Sequence, residues 1–190
     1  VEQIRNRVDV IVNAGLPYLV AVARGDQSTG HDRNHPTGYV GFVRERIVGF
    51  ASLDDYCDQS SMYRYTFELE LYVDPAFVRQ HIAKCLLDRL LEMANTGYNA
   101  CGGYEYRNDS EYLKCGPSRV IKTIMLTVQK EHGESEDKTT KWLQKFKFNR
   151  AGHIPRMGYK LNKVVDVFLY RHTTSETIES GGRPSVALER

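Results

Sequence analysis

Residues 66–91 change period partway along, and that change constrains the fold more than any other feature of the chain. From Thr66 to Val73 the residues alternate, with Phe67, Leu69, Leu71 and Val73 on one side and Glu68, Glu70 and Tyr72 on the other. A period of two with one apolar face is a β-strand laid against a core. From Ile82 the period becomes helical. Ile82, Leu86 and Leu90, with Ala83, Leu87 and Leu91, make one stripe, and Lys84, Arg89 and Glu92 fall off it. Asp74-Pro75 ends the strand, and Gly97 lies just past the helix. A strand with two carboxylates on its polar face therefore feeds a short loop and a helix N-terminus. The first N–H groups of a helix lack intrahelical acceptors and carry partial positive charge, which suits a phosphate. Carboxylates beside such an anion cradle point to an enzyme that takes a proton from a nucleophile while it holds a phosphorylated cofactor.

The rest of the chain supplies the partners this strand needs. Residues 1–14 read as a helix with Ile4, Val8, Ile11 and Val12 on one side, closed by Gly15. Residues 17–23 are an apolar run of strand length. The polar loop 24–37 is either solvated or meets a substrate. Tyr39–Val43 and Ile47–Leu53 read as a hairpin about Arg44-Glu45-Arg46. Residues 98–118 form a long excursion carrying Tyr98, Tyr104, Tyr106 and Tyr112, which either cover a binding cleft or anchor the loop to its own domain. Val120–Val128 is a further strand, and Lys138–Lys147 a helix whose Trp142 sits among apolar positions. Phe148–Ile154 and Val164–Tyr170 are the last strands. Residues 173–190 read as a polar, disordered tail, which leaves one domain over 1–172. Antiparallel-prone strands early and crossovers later imply an α/β (α+β) architecture: a mixed sheet with helices on both faces.

At 190 residues the chain can bury a sizeable core in one domain. A net charge of +2 speaks against a dedicated nucleic-acid binder. No apolar run reaches membrane-spanning length and no signal peptide is visible, so a cytoplasmic protein with no membrane contact is expected, although the chain begins with Val. Cys57, Cys85, Cys101 and Cys115 form no C-x-x-C pair and read as reduced thiols, Cys85 within the helix. Cys101 and Cys115 bracket a loop, where oxidation or a metal would join them; the six histidines are scattered, and no metal is expected.

Three segments, Tyr65–Pro75, Arg79–Leu87 and Gly152–Lys160 followed by Asp166-Val167, carry a family resemblance. They resemble the GNAT superfamily of acetyl-coenzyme A-dependent N-acetyltransferases, and within it the phosphinothricin acetyltransferase-like branch. The resemblance covers roughly residues 8–171. It implies a GNAT-like, mostly antiparallel mixed sheet, acetyl-coenzyme A as co-substrate, a small-molecule amine acceptor and a homodimer. In that family the loop reads Gln or Arg, two residues, Gly, one residue, Gly or Ala; here Val78, His81 and Ala83 stand at those places, and Ala83 fits. The N–H groups of Arg79, Gln80, His81, Ile82, Ala83 and Lys84 would cradle the pyrophosphate. The backbone of Leu71, Tyr72 and Val73 would pair with the pantetheine arm like an added strand. Glu136 and Leu143 stand where the family often has a cofactor-contacting Asn and a general-acid Tyr. Leu143 cannot donate a proton, so Tyr72, or secondarily Tyr159, takes that role or it is absent. Whether a first strand, usual in this fold, lies upstream of Val1 is left open by the sequence.

Acetyl transfer to an amine needs an oriented thioester, a polarised carbonyl and a deprotonated amine. Glu68 lies where the resembled branch carries its proposed base, and Glu70 projects to the same face as a second base or a ligand for the amine. The alternative for either is an ion pair with a Lys or Arg across the sheet. A backbone N–H near Tyr72 would stabilise the oxyanion. No cysteine is placed as an acyl carrier, so direct transfer in a ternary complex is expected. Lys160 and Asp166 either shape the acceptor site or form a structural ion pair, and His153 either contacts substrate or is a surface residue. Against the enzyme stand a catalytically degenerate acyl-coenzyme A-binding or scaffold module and a protein or peptide N-acetyltransferase.

Overall fold

The alternating strand becomes the middle of a six-stranded sheet. The computed structural model describes residues 2–24, 45–57, 62–108, 119–135 and 137–178. In chain order these form α1 (Glu2–Asn13), β1 (Tyr18–Arg24), β2 (Glu45–Asp55), β3 (Thr66–Val73), a short 3₁₀ turn (Pro75–Phe77), α2 (Ile82–Ala94), β4 (Thr123–Glu131), α3 (Asp137–Gln144), β5 (Asn149–Lys160) and β6 (Lys163–Thr173). The strand order is β1-β2-β3-β4-β6-β5. All neighbours are antiparallel except β3 and β4, which run parallel. The expected mixed sheet is thus present, mostly antiparallel.

Register divides the side chains into two faces. Leu53 lies opposite Leu69, Ala51 opposite Leu71, and Phe67 opposite Ile124. With Tyr170 opposite Leu126, these residues line one face, which α2 and α3 cover. Leu86, Leu87, Leu90, Leu91 and Ala94 of α2 are buried there, as the helical stripe requires, with Leu143, Phe146 and Phe148 at the far end. On the other face Asp54 lies opposite Glu68, Ser52 opposite Glu70, and Phe50 opposite Tyr72. There α1 crosses the sheet, its Arg7 reaching Glu70 and Asp54. Helices therefore lie on both faces.

Gly49 sets how closely α2 can lie. A Cβ at that position would come within 2.7 Å of the Tyr72 carbonyl oxygen and 3.3 Å of Ile82 and Leu86. A side chain there would push the start of α2 away from the end of β3.

Several expectations need correction. Ile4 is 68% exposed, whereas Ile11 is buried: the apolar stripe of α1 is covered only toward its C-terminal end. Glu45 and Arg46 are not a turn but the start of β2, paired with Arg24 and Ala23 of β1. Tyr39–Val43, like the rest of 25–44, lies outside the described residues, as do Cys115, Tyr112, Glu136 and 179–190. The fold also continues beyond 172. Thr174 is buried and donates to the Ile121 carbonyl, and Ser175 donates through N–H and hydroxyl to Asn95 Oδ1. A polar composition hid these residues because their bonds run to distant backbone and side chains. The β5–β6 hairpin is longer than expected and closes through Leu161 and Asn162, both at positive φ.

Candidate active site

Two strands that run parallel for their full length leave no space between them; β3 and β4 part company early. Their ladder consists of three pairs, Thr66 with Thr123, Phe67 with Ile124, and Glu68 with Met125. Beyond it β4 stays with β6 through Glu131, and β3 stays with β2 through Val73. A fork opens between them, and Glu68 stands at its vertex.

Backbone bonds show which groups face the fork. The Tyr65 carbonyl accepts from the N–H groups of Lys122 and Thr123, on the β4 side, while the Asp74 N–H donates to the Val48 carbonyl, on the β2 side. Successive residues of a strand alternate in this respect. Leu69, Leu71 and Val73 therefore turn their N–H and C=O groups into the fork, and Glu68, Glu70 and Tyr72 turn theirs toward β2. Of the Leu71–Val73 trio, the Tyr72 backbone is taken by the sheet, and the groups that face the fork are those of Leu71 and Val73, with Leu69 before them.

At the open end of the fork the chain turns and starts α2. Asp74 Oδ1 accepts from the Ala76 N–H at 2.9 Å, fixing the Asp-Pro turn, and Asp74 Oδ2 pairs with Arg46 at 2.7 Å. Arg79 (φ 64°) and His81 (φ 62°, ψ 8°) both take the left-handed conformation. That conformation favours glycine, the residue the loop pattern has at position 81. The His81 side chain is exposed and makes no capping bond to the first turn of α2. Among the described residues the N–H groups at that helix start have no side-chain cap. Ile82 and Ala83 are half-buried, and Val78, Arg79, Gln80, His81 and Lys84 are exposed. An open strand edge leading to an uncapped helix start fits a molecule with an extended amide arm and a diphosphate.

The carboxylates differ in their surroundings. Glu68 Oε1 accepts from the Thr127 hydroxyl at 3.2 Å, and among the described residues no cation pairs with it. Glu70 is bound by Arg7 at 2.6 Å, with Asp54 on the same guanidinium at 3.8 Å. Glu70 thus sits in an ion pair, with a cation from α1 and not from across the sheet. Tyr72 is 51% exposed and stacks on Phe50 at 5.8 Å, which stacks on Tyr18 at 5.7 Å. Burial raises the Tyr18 hydroxyl pKa; Arg7 opposes that and Glu70 adds to it. Burial likewise raises Tyr56, with a smaller contribution from the charge of Glu68. Glu68, Glu70 and Tyr72 are therefore brought to one face. Arg7, Tyr18, Phe50, Asp54 and Thr127 join them there, and none carried a sequence signal: their place depends on cross-strand register and on the line of α1.

Other candidates fall elsewhere. Leu143 is fully buried, so no proton leaves or arrives through that position. Trp142 packs against Phe146 at the edge of the core. Asp166 pairs with histidines, not with Lys160: His132 at 2.8 Å and His153 at 2.9 Å, while the Arg156 N–H donates at 2.8 Å. His153 stacks on Phe168 at 4.3 Å. Tyr159 is exposed on β5. Among the described residues no group of three or more His, Cys, Asp or Glu side chains is arranged to hold a metal ion.

Tyr98 and Tyr104 anchor the excursion to its own domain. The buried Asp88 of α2 accepts from the Tyr98 and Tyr104 hydroxyls at 2.8 and 3.1 Å and from the N–H groups of Cys101 and Gly102. Burial alone would raise the Asp88 pKa, yet these four donors bring it below its ordinary value. Tyr104 and Tyr106 also wall a cleft of about 780 Å³ between β1, α2 and residues 104–108, which half-buried Cys85 lines as well. That cleft is on the α2 face at the outer strand, so Glu68 does not line it.

The model of the acetyltransferase (GNAT) family matches residues 14–102, which run from the end of α1 past α2. A phosphinothricin acetyltransferase from Sinorhizobium meliloti, solved in complex with acetyl-coenzyme A, is similar over 95% of this chain and 75% of its own, with a TM-score of 0.60 and 16% identity. A ribosomal-protein-alanine N-acetyltransferase from Brucella melitensis is similar over 90% of this chain and 77% of its own, with a TM-score of 0.58 and 17% identity. At such identities the likeness speaks for the fold. No curated protein matches the sequence. β3 and α2, which form one arm of the fork and its mouth, lie inside the segment that the acetyltransferase (GNAT) family model matches, and β4 lies beyond it.

Proposed function

We propose that the chain is an acetyl-coenzyme A-dependent N-acetyltransferase that moves an acetyl group to a primary amine of a small molecule by direct transfer in a ternary complex. The carrying observation is the fork: Glu68 at the vertex, the free edge of Leu69, Leu71 and Val73 along one arm, and the uncapped start of α2 at the mouth. The cofactor, when bound, supplies an acyl group activated as a thioester. The N–H groups from Arg79 to Lys84 hold its diphosphate, helped by the helix dipole. Leu71 and Val73 hold its amide arm as a neighbouring strand would. A fork-facing N–H of Leu69 or Leu71 polarises the reacting carbonyl.

Glu68 takes the proton from the acceptor ammonium, directly or through a water, and the Thr127 hydroxyl holds its carboxylate in place. As the nitrogen–carbon bond forms, the carbon–sulfur bond breaks and a thiol leaves. Tyr72, on the same face as Glu68, returns a proton to that sulfur.

Two measurements on the purified chain test this. Calorimetry with acetyl-coenzyme A is expected to give saturable, micromolar binding; no binding would remove the cofactor reading. A thiol-release assay over a panel of small amines and short peptides is expected to find a small-amine acceptor. Glu68→Gln should then lose roughly 10²–10⁴ in kcat while it keeps cofactor affinity. Full activity of that variant across pH would remove Glu68 as the base, and binding without any turnover would leave a binding module.

A further inference from the structure

If Glu68 receives the acceptor's proton, the acceptor lies on the α1 face, and the charges on that face say what it is. Asp54 stands directly opposite Glu68, and Glu70 follows two residues on, opposite Ser52. Like charges opposite one another on a sheet destabilise it. Asp54 and Glu70 share one guanidinium, that of Arg7, and Glu68 has no cation partner among the described residues. Among the described strand residues, register puts the next cation across β4 at Arg171, beyond Met125 on β6, two strands or roughly 10 Å from Glu68.

Two further observations mark the same place. The Ser52 hydroxyl is fully buried and has no hydrogen-bond partner among the described residues, and its cross-strand neighbours are Tyr18 and Glu70. A buried hydroxyl left unsatisfied is costly. Beside it the rings of Tyr18, Phe50 and Tyr72 run in a stacked row across three strands, with Tyr72 open to solvent. Aromatic faces next to carboxylates favour a cation with an apolar stem.

Resting on the transferase reading above, we infer that the acceptor is a diamine or polyamine, whose reacting nitrogen sits at Glu68 and whose second ammonium sits at Glu70 and Asp54 in place of Arg7. That ammonium supplies the donor Ser52 lacks, and the carbon chain between the two nitrogens lies along the aromatic row. An acceptor with a carboxylate at its far end meets Glu70 and Asp54 instead and is rejected by like charge.

Three probes of matched length separate the cases: cadaverine with two amines, pentylamine with one, and δ-aminovalerate with an amine and a carboxylate. Steady-state kcat/KM is expected to fall in that order, with at least roughly tenfold between the first and last. Glu70→Gln frees Arg7 for an anion and is expected to move the ratio toward δ-aminovalerate by roughly tenfold, a change that a merely structural role for Glu70 would not produce. The same probes are titrated calorimetrically into the protein with coenzyme A present, where no turnover is possible. Preferred binding of cadaverine without acetylation would sink the transferase reading and keep the charge preference. Acetylation of all three at equal kcat/KM, a preference for δ-aminovalerate, or no binding of cadaverine in either assay would overturn the inference.

Discussion

His81 shows what one residue can carry against its local preference. A left-handed conformation costs an L-residue of this kind about 1 kcal/mol, and the helix gains no cap from the imidazole in return. Its exposure leaves the α2 amides uncovered, so a histidine here does not plug the loop. His81→Gly is therefore expected to stabilise the protein by roughly 1 kcal/mol, or about 2–4 °C in thermal midpoint for a domain of this size. Acetyl-coenzyme A should bind the variant at least as tightly as the parent in calorimetry. Weaker binding would show that the imidazole itself bonds the diphosphate. Glu68 and Glu70 make the complementary point. They are two residues apart on one face, and the alternation told that much, but only Arg7 distinguishes them. Arg7 is an unremarkable member of a helical sequence until α1 is laid over β2 and β3.

The elements that were legible are those whose periodicity is set by the core next to them. β3 and α2 each bury one clean face, so Phe67, Leu69, Leu86 and Leu90 could be placed from spacing alone. The start of β2 could not, because Glu45 and Arg46 are exposed at a strand end and carry turn-like chemistry. The β5–β6 turn was hidden for a different reason: Leu161 holds a positive φ with none of the Asn-Gly signal that such turns usually announce. The fork itself leaves no trace in spacing, since a strand with one free edge alternates like any other. Gly49 is where the elements meet the site. Gly49→Val would drive side-chain atoms into the Tyr72 carbonyl and against Ile82 and Leu86, at a cost of about 1–3 kcal/mol. The expected result is a lowered unfolding midpoint together with weaker acetyl-coenzyme A binding, because β3 and the start of α2 are the two things displaced. A variant that loses stability but binds the cofactor as before would separate the fork from the helix start.

The whole molecule closes through polar clusters at its two ends, and both make it sensitive to acid. At one end His172 is buried between elements: its Nδ1–H donates to the Phe146 carbonyl at 2.9 Å, and Asn95 Nδ2 donates to its Nε2 at 3.3 Å. Asn95 Oδ1 in turn holds Gly97 and Ser175, which ties the end of α2 to the segment after β6. Burial holds the His172 pKa below its ordinary 6.5, with the Phe146 carbonyl opposing. At the other end the Arg156 N–H, set against the effect of burial and helped by His153 and His132, takes Asp166 from 3.8 down to about 2. Both groups bind protons more readily in the unfolded chain than in the folded one, so each contribution is full above the ordinary value and is lost as pH falls through the folded one. Stability is therefore expected to drop first below pH 6.5, from His172, and again between 3.8 and about 2, from Asp166. Urea midpoints followed by circular dichroism across this range would read both steps. His172→Gln should lower the midpoint at neutral pH yet flatten the first step, since Gln keeps a donor and an acceptor but takes up no proton. Asp166→Asn should flatten the second. A parent protein whose midpoint does not change between pH 7 and 5 would mean that His172 is not held neutral by its burial, and the closure at that end would have to come from Asn95 and Ser175 alone.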